Sequence, residues 1–242
     1  MSSRINRDRR RFMAAGGTAA LGAAAAAGGA FPTPALAQKV RRINMIMAWP
    51  KGAPGVGVNA ERFARRLERL SGGRIEISFY GAGELIPPFE VLDAVSGGTA
   101  DLAHSSPYYW AGNSQALHFF TGIPFGLTAS ECAAWLAYGG GQELWDEIYE
   151  PYGVKPFYAG TSGTQFGGWF NKEIKSLEDL KGLRFRIAGL GGEVMRRLGV
   201  SPVMTPPAEI PVALASGAVD AVEWIGPWND AAFGLQRMGK YY

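Results

Sequence analysis

Apolar residues along this chain recur at two spacings, and the switching between them sets out its elements. Residues 42–49 form an apolar run that predicts a strand, followed by a Pro/Gly loop over 50–57. Over 58–70, Phe63, Leu67 and Leu70 fall at helical spacing with charges elsewhere, which predicts an amphipathic helix. Ile75, Ile77 and Phe79 alternate with polar neighbours across 74–80, the period-two mark of a strand. A helix over 90–96, stopped by Gly97-Gly98, leads to a strand over 100–105, and helical segments over 130–149 break at Gly139-Gly140-Gly141. A second series begins near Thr161. It has a helical turn at 176–181, a strand at 183–187, helices at 192–198 and 207–216, a strand at 219–224 and a helix from Pro227 to about Gln236. Strands alternating with helices imply an α/β architecture with largely parallel pairing.

One repeat stands out. Glu90 to Ser105 aligns without gaps on Glu209 to Trp224, each reading as short helix, Gly turn, Asp and strand. Such units look alike by chance, or they mark two lobes of similar build. Because ligands in open α/β sheets bind beyond the carboxyl ends of strands, two lobes would present His104-Ser105 and Glu223-Trp224 to a shared cleft.

The N-terminus changes the meaning of the charge. Arg9-Arg10-Arg11-Phe12 precedes a weakly apolar Ala/Gly run and Ala35-Leu36-Ala37, the build of a twin-arginine export signal over 1–37. The run is Gly-rich and cut by Pro32 and Pro34, which argues against a permanent membrane span. These 37 residues hold five Arg and one Asp, so of the net +3 of all 242 residues the remaining 205 carry −1. The basic balance therefore gives no argument for nucleic acid or an anionic membrane as partner. A lone Cys132, with only His104 and His118, excludes an intrachain disulfide and argues against Cys- or His-based metal clusters.

Candidate chemistry concentrates on the second series. Gly189-Leu-Gly191-Gly192 has Val194 where a dinucleotide fingerprint needs its third glycine. Residues 52–57 lack the Gly-Lys-Ser/Thr of a phosphate loop, and 160–164 lacks the closing glycine of a nucleophile elbow. Period two puts Arg184 and Arg186 on one face of a short strand. A guanidinium matches a carboxylate with two parallel hydrogen bonds, and an apolar setting beside Trp224 obliges Glu223 to find a cation. Arg186 and a bound metal ion are the two candidates for that cation. Trp49, Tyr108, Tyr109 and Trp110 offer flat apolar walls with polar tips, suited to a small-molecule cleft or to plain core.

Residues 182–192 and 221–228, with Thr164-Gln165-Phe166-Gly167-Gly168-Trp169-Phe170, resemble the solute-binding subunits of TRAP (tripartite ATP-independent periplasmic) transporters, the DctP family. The likeness is greatest to the branch that binds 2-oxo and 2-hydroxy carboxylates. It implies a two-lobed periplasmic binding protein-like fold with a ligand cleft between lobes: 38–160 as first lobe, 161–224 as second, 225–242 crossing back toward the first. It also implies that Arg186 clamps the substrate carboxylate and that Tyr108 or Tyr109 touches ligand. Gln165, Glu223 and the main-chain oxygen of Trp224 would hold a metal ion together with the solute. Those hard oxygen donors suit Na+ (or Ca2+), and a single carboxylate leans toward Na+. The expected function is a non-enzymatic, periplasmic protein that captures a pyruvate- or lactate-like acid and delivers it to the integral-membrane TRAP permease subunits. The alternative is a periplasmic metal-assisted enzyme with Glu223 as base. Relatives of this kind run roughly another hundred residues, so the chain is expected to be C-terminally truncated. A homodimer is expected only with the full-length C-terminus.

Overall fold

The computed structural model describes residues 39–242, so the export signal expected over 1–37 lies outside the described residues. Two sheets organise the chain. The first has strand order β2-β1-β3, with β1 (Arg41–Met47) parallel to β2 (Ile75–Tyr80) and to β3 (Leu102–His104). The second has order β4-β7-β5-β6, from β4 (Trp169–Phe170), β5 (Arg184–Arg186), β6 (Ser201–Val203) and β7 (Ala221–Val222). Here β5 is parallel to β6 and β7, while β4 pairs antiparallel with β7. That reversed strand and β6 are elements the apolar spacing did not predict.

Helix α1 (Val56–Leu70) starts two residues before the predicted 58 and buries a different face. Gly57, Ala60 and Ala64 are its buried residues, whereas Phe63 and Leu70 are exposed. Small side chains let this face approach closely. A Cβ at Gly57 would lie 2.6 Å from the Pro50 carbonyl oxygen. Helices α2 (Val91–Ser96), α3 (Ala129–Tyr138) and α4 (Gly141–Tyr149) complete the first half. A capping box between Thr128 and Glu131 opens α3, and Gly140 in the left-handed region separates it from α4. In the second half, α5 (Gly189–Arg197) begins three residues before the predicted 192, with Gly189 in the left-handed region at its start and Gly191 and Gly192 in its first turn. Helices α6 (Ile210–Ala215) and α7 (Pro227–Ala232) follow, each opened by proline.

The repeat seen in the sequence is a repeat in space. Asp101 and Asp220 each accept the main-chain N–H of a central strand, from Asn44 and Arg184 respectively, at 2.9 Å. Gly98 and Gly217 take matching positive φ of 78° and 71° just before them. Each unit thus lays a strand parallel to its sheet's centre. One core joins the halves: Met45, Met47 and Trp49 pack in a single cluster with Ile210, Leu214, Val222, Trp224 and Leu235. The final segment touches both halves, since Asn229 Nδ2 donates to the Pro54 carbonyl (2.8 Å) and Tyr241 pairs with Phe170 at the edge of the second sheet.

Candidate functional site

Strand β5 carries its two arginines to different fates. Arg184 is exposed and makes a bidentate pair with Asp220, Nε to Oδ2 at 3.1 Å and Nη2 to Oδ1 at 2.8 Å. Arg186 is 1% exposed. Parallel pairing continues past β7, with Glu223 N–H donating to the Arg186 carbonyl (2.8 Å), and so brings Glu223 alongside the guanidinium. Arg186 Nη1 donates to the Glu223 main-chain oxygen at 2.5 Å, while Glu223 Oε2 stands 3.6 Å away, close enough for Coulomb attraction but not for a hydrogen bond. The guanidinium also lies over the Trp224 ring at 5.5 Å.

What remains unpaired is informative. Arg186 Nε and Nη2, Glu223 Oε1, Trp224 Nε1 and Tyr109 Oη are all buried without a hydrogen-bond partner. Nε–H and Nη2–H point the same way along one edge of a guanidinium, the edge that meets both oxygens of a carboxylate. An unmade buried hydrogen bond costs about 1–3 kcal/mol, so several gathered in one place mark a site shaped for something else. Burial pushes the Glu223 carboxyl up to about 7; the Asp230 charge adds to this, while Arg186 and the Ala188 N–H act against it.

The first half supplies the opposite wall. Tyr108 and Tyr109 sit on a single turn (Pro107–Trp110), their rings 4.7 Å apart, and Tyr108 lies against Gly189 at the start of α5. Both tyrosines feel the Arg186 and Glu223 charges, and burial raises both hydroxyls, Tyr109 far above the usual range. Trp49, beyond the end of β1, is 6.2 Å from Trp224 and 5.7 Å from Tyr109. Its Nε1–H donates to His104 Nδ1 (2.7 Å), and burial pushes His104 down to about 4, so this imidazole is neutral at pH 7.

Arg186, Glu223, Trp224, Tyr108 and Tyr109 therefore converge. Gln165 does not join them: it is exposed, and its amide donates to Ser162 Oγ at 3.3 Å. Its segment nonetheless runs beside the site, because Phe166 N–H donates to the Ile225 carbonyl (3.2 Å). Sequence reasoning missed the Trp49–His104 bond and Asp230. Trp49 just past β1 and His104 at the end of β3 could have been paired from those positions, whereas Asp230 had no comparable signal. Among the described residues no three His, Cys, Asp or Glu side chains gather as a metal cluster. Glu223 Oε1, as a buried acceptor without a donor, fits a hard cation with main-chain and solute oxygens.

The model of bacterial extracellular solute-binding protein family 7 (DctP) matches residues 47–242. The chain belongs to this family. It is 48% identical over 201 residues to a monocarboxylate 2-oxoacid-binding periplasmic protein of Nostoc sp. (strain PCC 7120), covering 83% of this chain and 55% of that protein. A TRAP solute-binding protein of Bordetella bronchiseptica, solved with calcium and picolinate in one site of a mixed-occupancy dimer, superposes with a TM-score of 0.81 at 40% identity. One from Colwellia psychrerythraea with calcium and pyruvate gives 0.80 at 39%, and one from Pseudoalteromonas atlantica with sodium and pyruvate gives 0.80 at 40%. Each superposition covers 83% of this chain and 60% or 61% of the other. The chain thus spans somewhat over half the length of these relatives, and its fold is the α/β, two-lobed fold of TRAP periplasmic binding proteins.

Proposed function

We propose that this family 7 protein captures a small 2-oxo or 2-hydroxy monocarboxylate, pyruvate- or lactate-like, together with a metal ion, and hands it to TRAP permease subunits in the membrane. The observation that carries this reading is the free Nε/Nη2 edge of buried Arg186 beside the free Glu223 Oε1. The edge reads a carboxylate. The cation, held by Glu223, the Trp224 carbonyl and Gln165 once its segment turns inward, would supply the attraction that a solute's second oxygen satisfies. Acids lacking that oxygen leave the cation short of donors and bind weakly. Tyr108, Tyr109 and Trp224 wall the cleft and exclude water. The solutes named for the Nostoc, Colwellia and Pseudoalteromonas proteins support the solute class. The reading includes lobes meeting near residue 160, periplasmic location by the twin-arginine route with 1–37 as signal, and no turnover of the solute.

Calorimetry with pyruvate, lactate and acetate tests it. Pyruvate should bind far more tightly than acetate and be recovered unchanged. Arg186→Lys replaces the fork with a point charge, and pyruvate affinity should fall by about 1–3 kcal/mol with the melting temperature little altered. Equal binding of pyruvate and acetate, or an unaffected Lys variant, overturns the reading.

A further inference from the structure

The region behind Glu223 carries more negative charge than one carboxylate. Asp230 on α7 is 1% exposed. Its Oδ1 accepts the main-chain N–H of Ile225 (3.2 Å) and Gly226 (3.1 Å), and its Oδ2 accepts Trp169 Nε1–H (3.0 Å). These are uncharged donors, and every one of them suits an acceptor-only carboxylate. No countercharge is among them. The two main-chain donors lie two and three residues past Glu223, so Asp230 is tied to the peptide that carries the site. Its field acts on Glu223, raising that carboxyl, and on Tyr242, whose hydroxyl burial and Asp230 together push up to about 12.

Charge balance then decides between ions. The buried charged side chains here are Arg186, Glu223 and Asp230, whose formal charges sum to −1. A monocarboxylate brings the total to −2. A monovalent ion would leave one net negative charge among these buried side chains, whereas a divalent ion leaves none. Uncompensated buried charge is among the costliest arrangements in a protein. Resting on the solute reading above, we propose that Asp230 sets the valence of the co-bound ion, making this site selective for Ca2+ over Na+ although Asp230 touches neither ion nor solute. Asp230 acts as a positioning residue for the 225–226 peptide and as a fixed charge, and the two roles are separable. Trp169→Phe removes one hydrogen bond to Asp230 and leaves its charge, while Asp230→Asn keeps an acceptor for the main-chain N–H groups and removes the charge.

The test measures pyruvate binding by calorimetry on chelator-stripped protein in potassium buffer, with Ca2+ or Na+ added to saturation. Wild type should bind pyruvate at least about tenfold more tightly with Ca2+. Asp230→Asn should lower the Ca2+-supported affinity by about tenfold or more and the Na+-supported affinity by less than about threefold. Trp169→Phe should keep the wild-type ion preference whatever it does to the melting temperature. As a readout without solute, Ca2+ alone should raise the wild-type melting temperature more than Na+ does, and the Asn variant should lose that difference. Equal losses with both ions in Asp230→Asn, or wild-type binding indifferent to the ion, overturn the role of Asp230 and leave the solute reading standing. Absence of pyruvate binding with every ion overturns the solute reading itself.

Discussion

Residues 90–105 and 209–224 build the same unit twice and finish it differently. Both run through a six-residue helix, a left-handed glycine and an aspartate that grips the central strand. In the first half, the strand ends hold Trp49 and His104, which satisfy each other with a 2.7 Å hydrogen bond. In the second, they hold Arg186 and Glu223, which meet imperfectly at 3.6 Å and leave three polar atoms unpaired. The scaffold is shared; what differs is whether the polar groups at the strand ends are already paired with each other. A saturated pair contributes packing, and an unsaturated one keeps polar atoms free, as the proposed solute capture requires.

Breaking the saturated end should give the largest effect, and on stability rather than on chemistry. Trp49→Ala removes an aromatic packed on His104, Tyr109 and Trp224 and strands the imidazole, so unfolding free energy should drop by about 3–5 kcal/mol in denaturant titration. The unsaturated end should respond in the opposite sense. Glu223 is raised from an ordinary 4.5 to about 7, so in the ion-free protein its contribution is fully favourable below 4.5 and is lost as pH rises through 7. Glu223→Gln lacks this loss. Melted without ion or solute, it should match wild type near pH 4 and exceed it above pH 7 by up to about 3 kcal/mol, while losing ion-dependent pyruvate binding. A Gln variant less stable than wild type at pH 8 would mean that the pair supports the fold like its counterpart. The smallest effect sharpens the contrast within β5. Arg184→Lys, at an exposed pair, should change stability by less than about 1 kcal/mol and leave pyruvate affinity alone.

The sequence showed the order of elements and the repeat because these follow from short-range spacing, whereas Arg186, Tyr108 and Tyr109 were singled out through the resemblance to the DctP family. The face of α1 was misread for a physical reason. Close approach selects small residues, so Gly57, Ala60 and Ala64 face the core while the larger Phe63 and Leu70 do not. Strand β4 is two residues long and too short for any period to register, and β6 carries a proline that weakens its strand signal. The site was legible as far as side chains point directly into it. Asp230 escaped notice because it acts through the main chain of Ile225 and Gly226, a relation that no residue spacing encodes. Gln165 shows the converse limit: the resemblance made it a metal ligand, yet although its segment runs beside the site its side chain turns to Ser162.

The hydrogen bond from Asn229 to the Pro54 carbonyl joins the two halves, as does the Trp49–Trp224 contact. On the proposed reading, parting the halves to release a solute would break both contacts. Residence time is then governed by how often these contacts break, and the same closure taxes every arriving molecule with the fraction of time the entrance is shut. On that reading, capture and handover become questions of timing, written into a few contacts that themselves make no hydrogen bond to the Arg186 guanidinium.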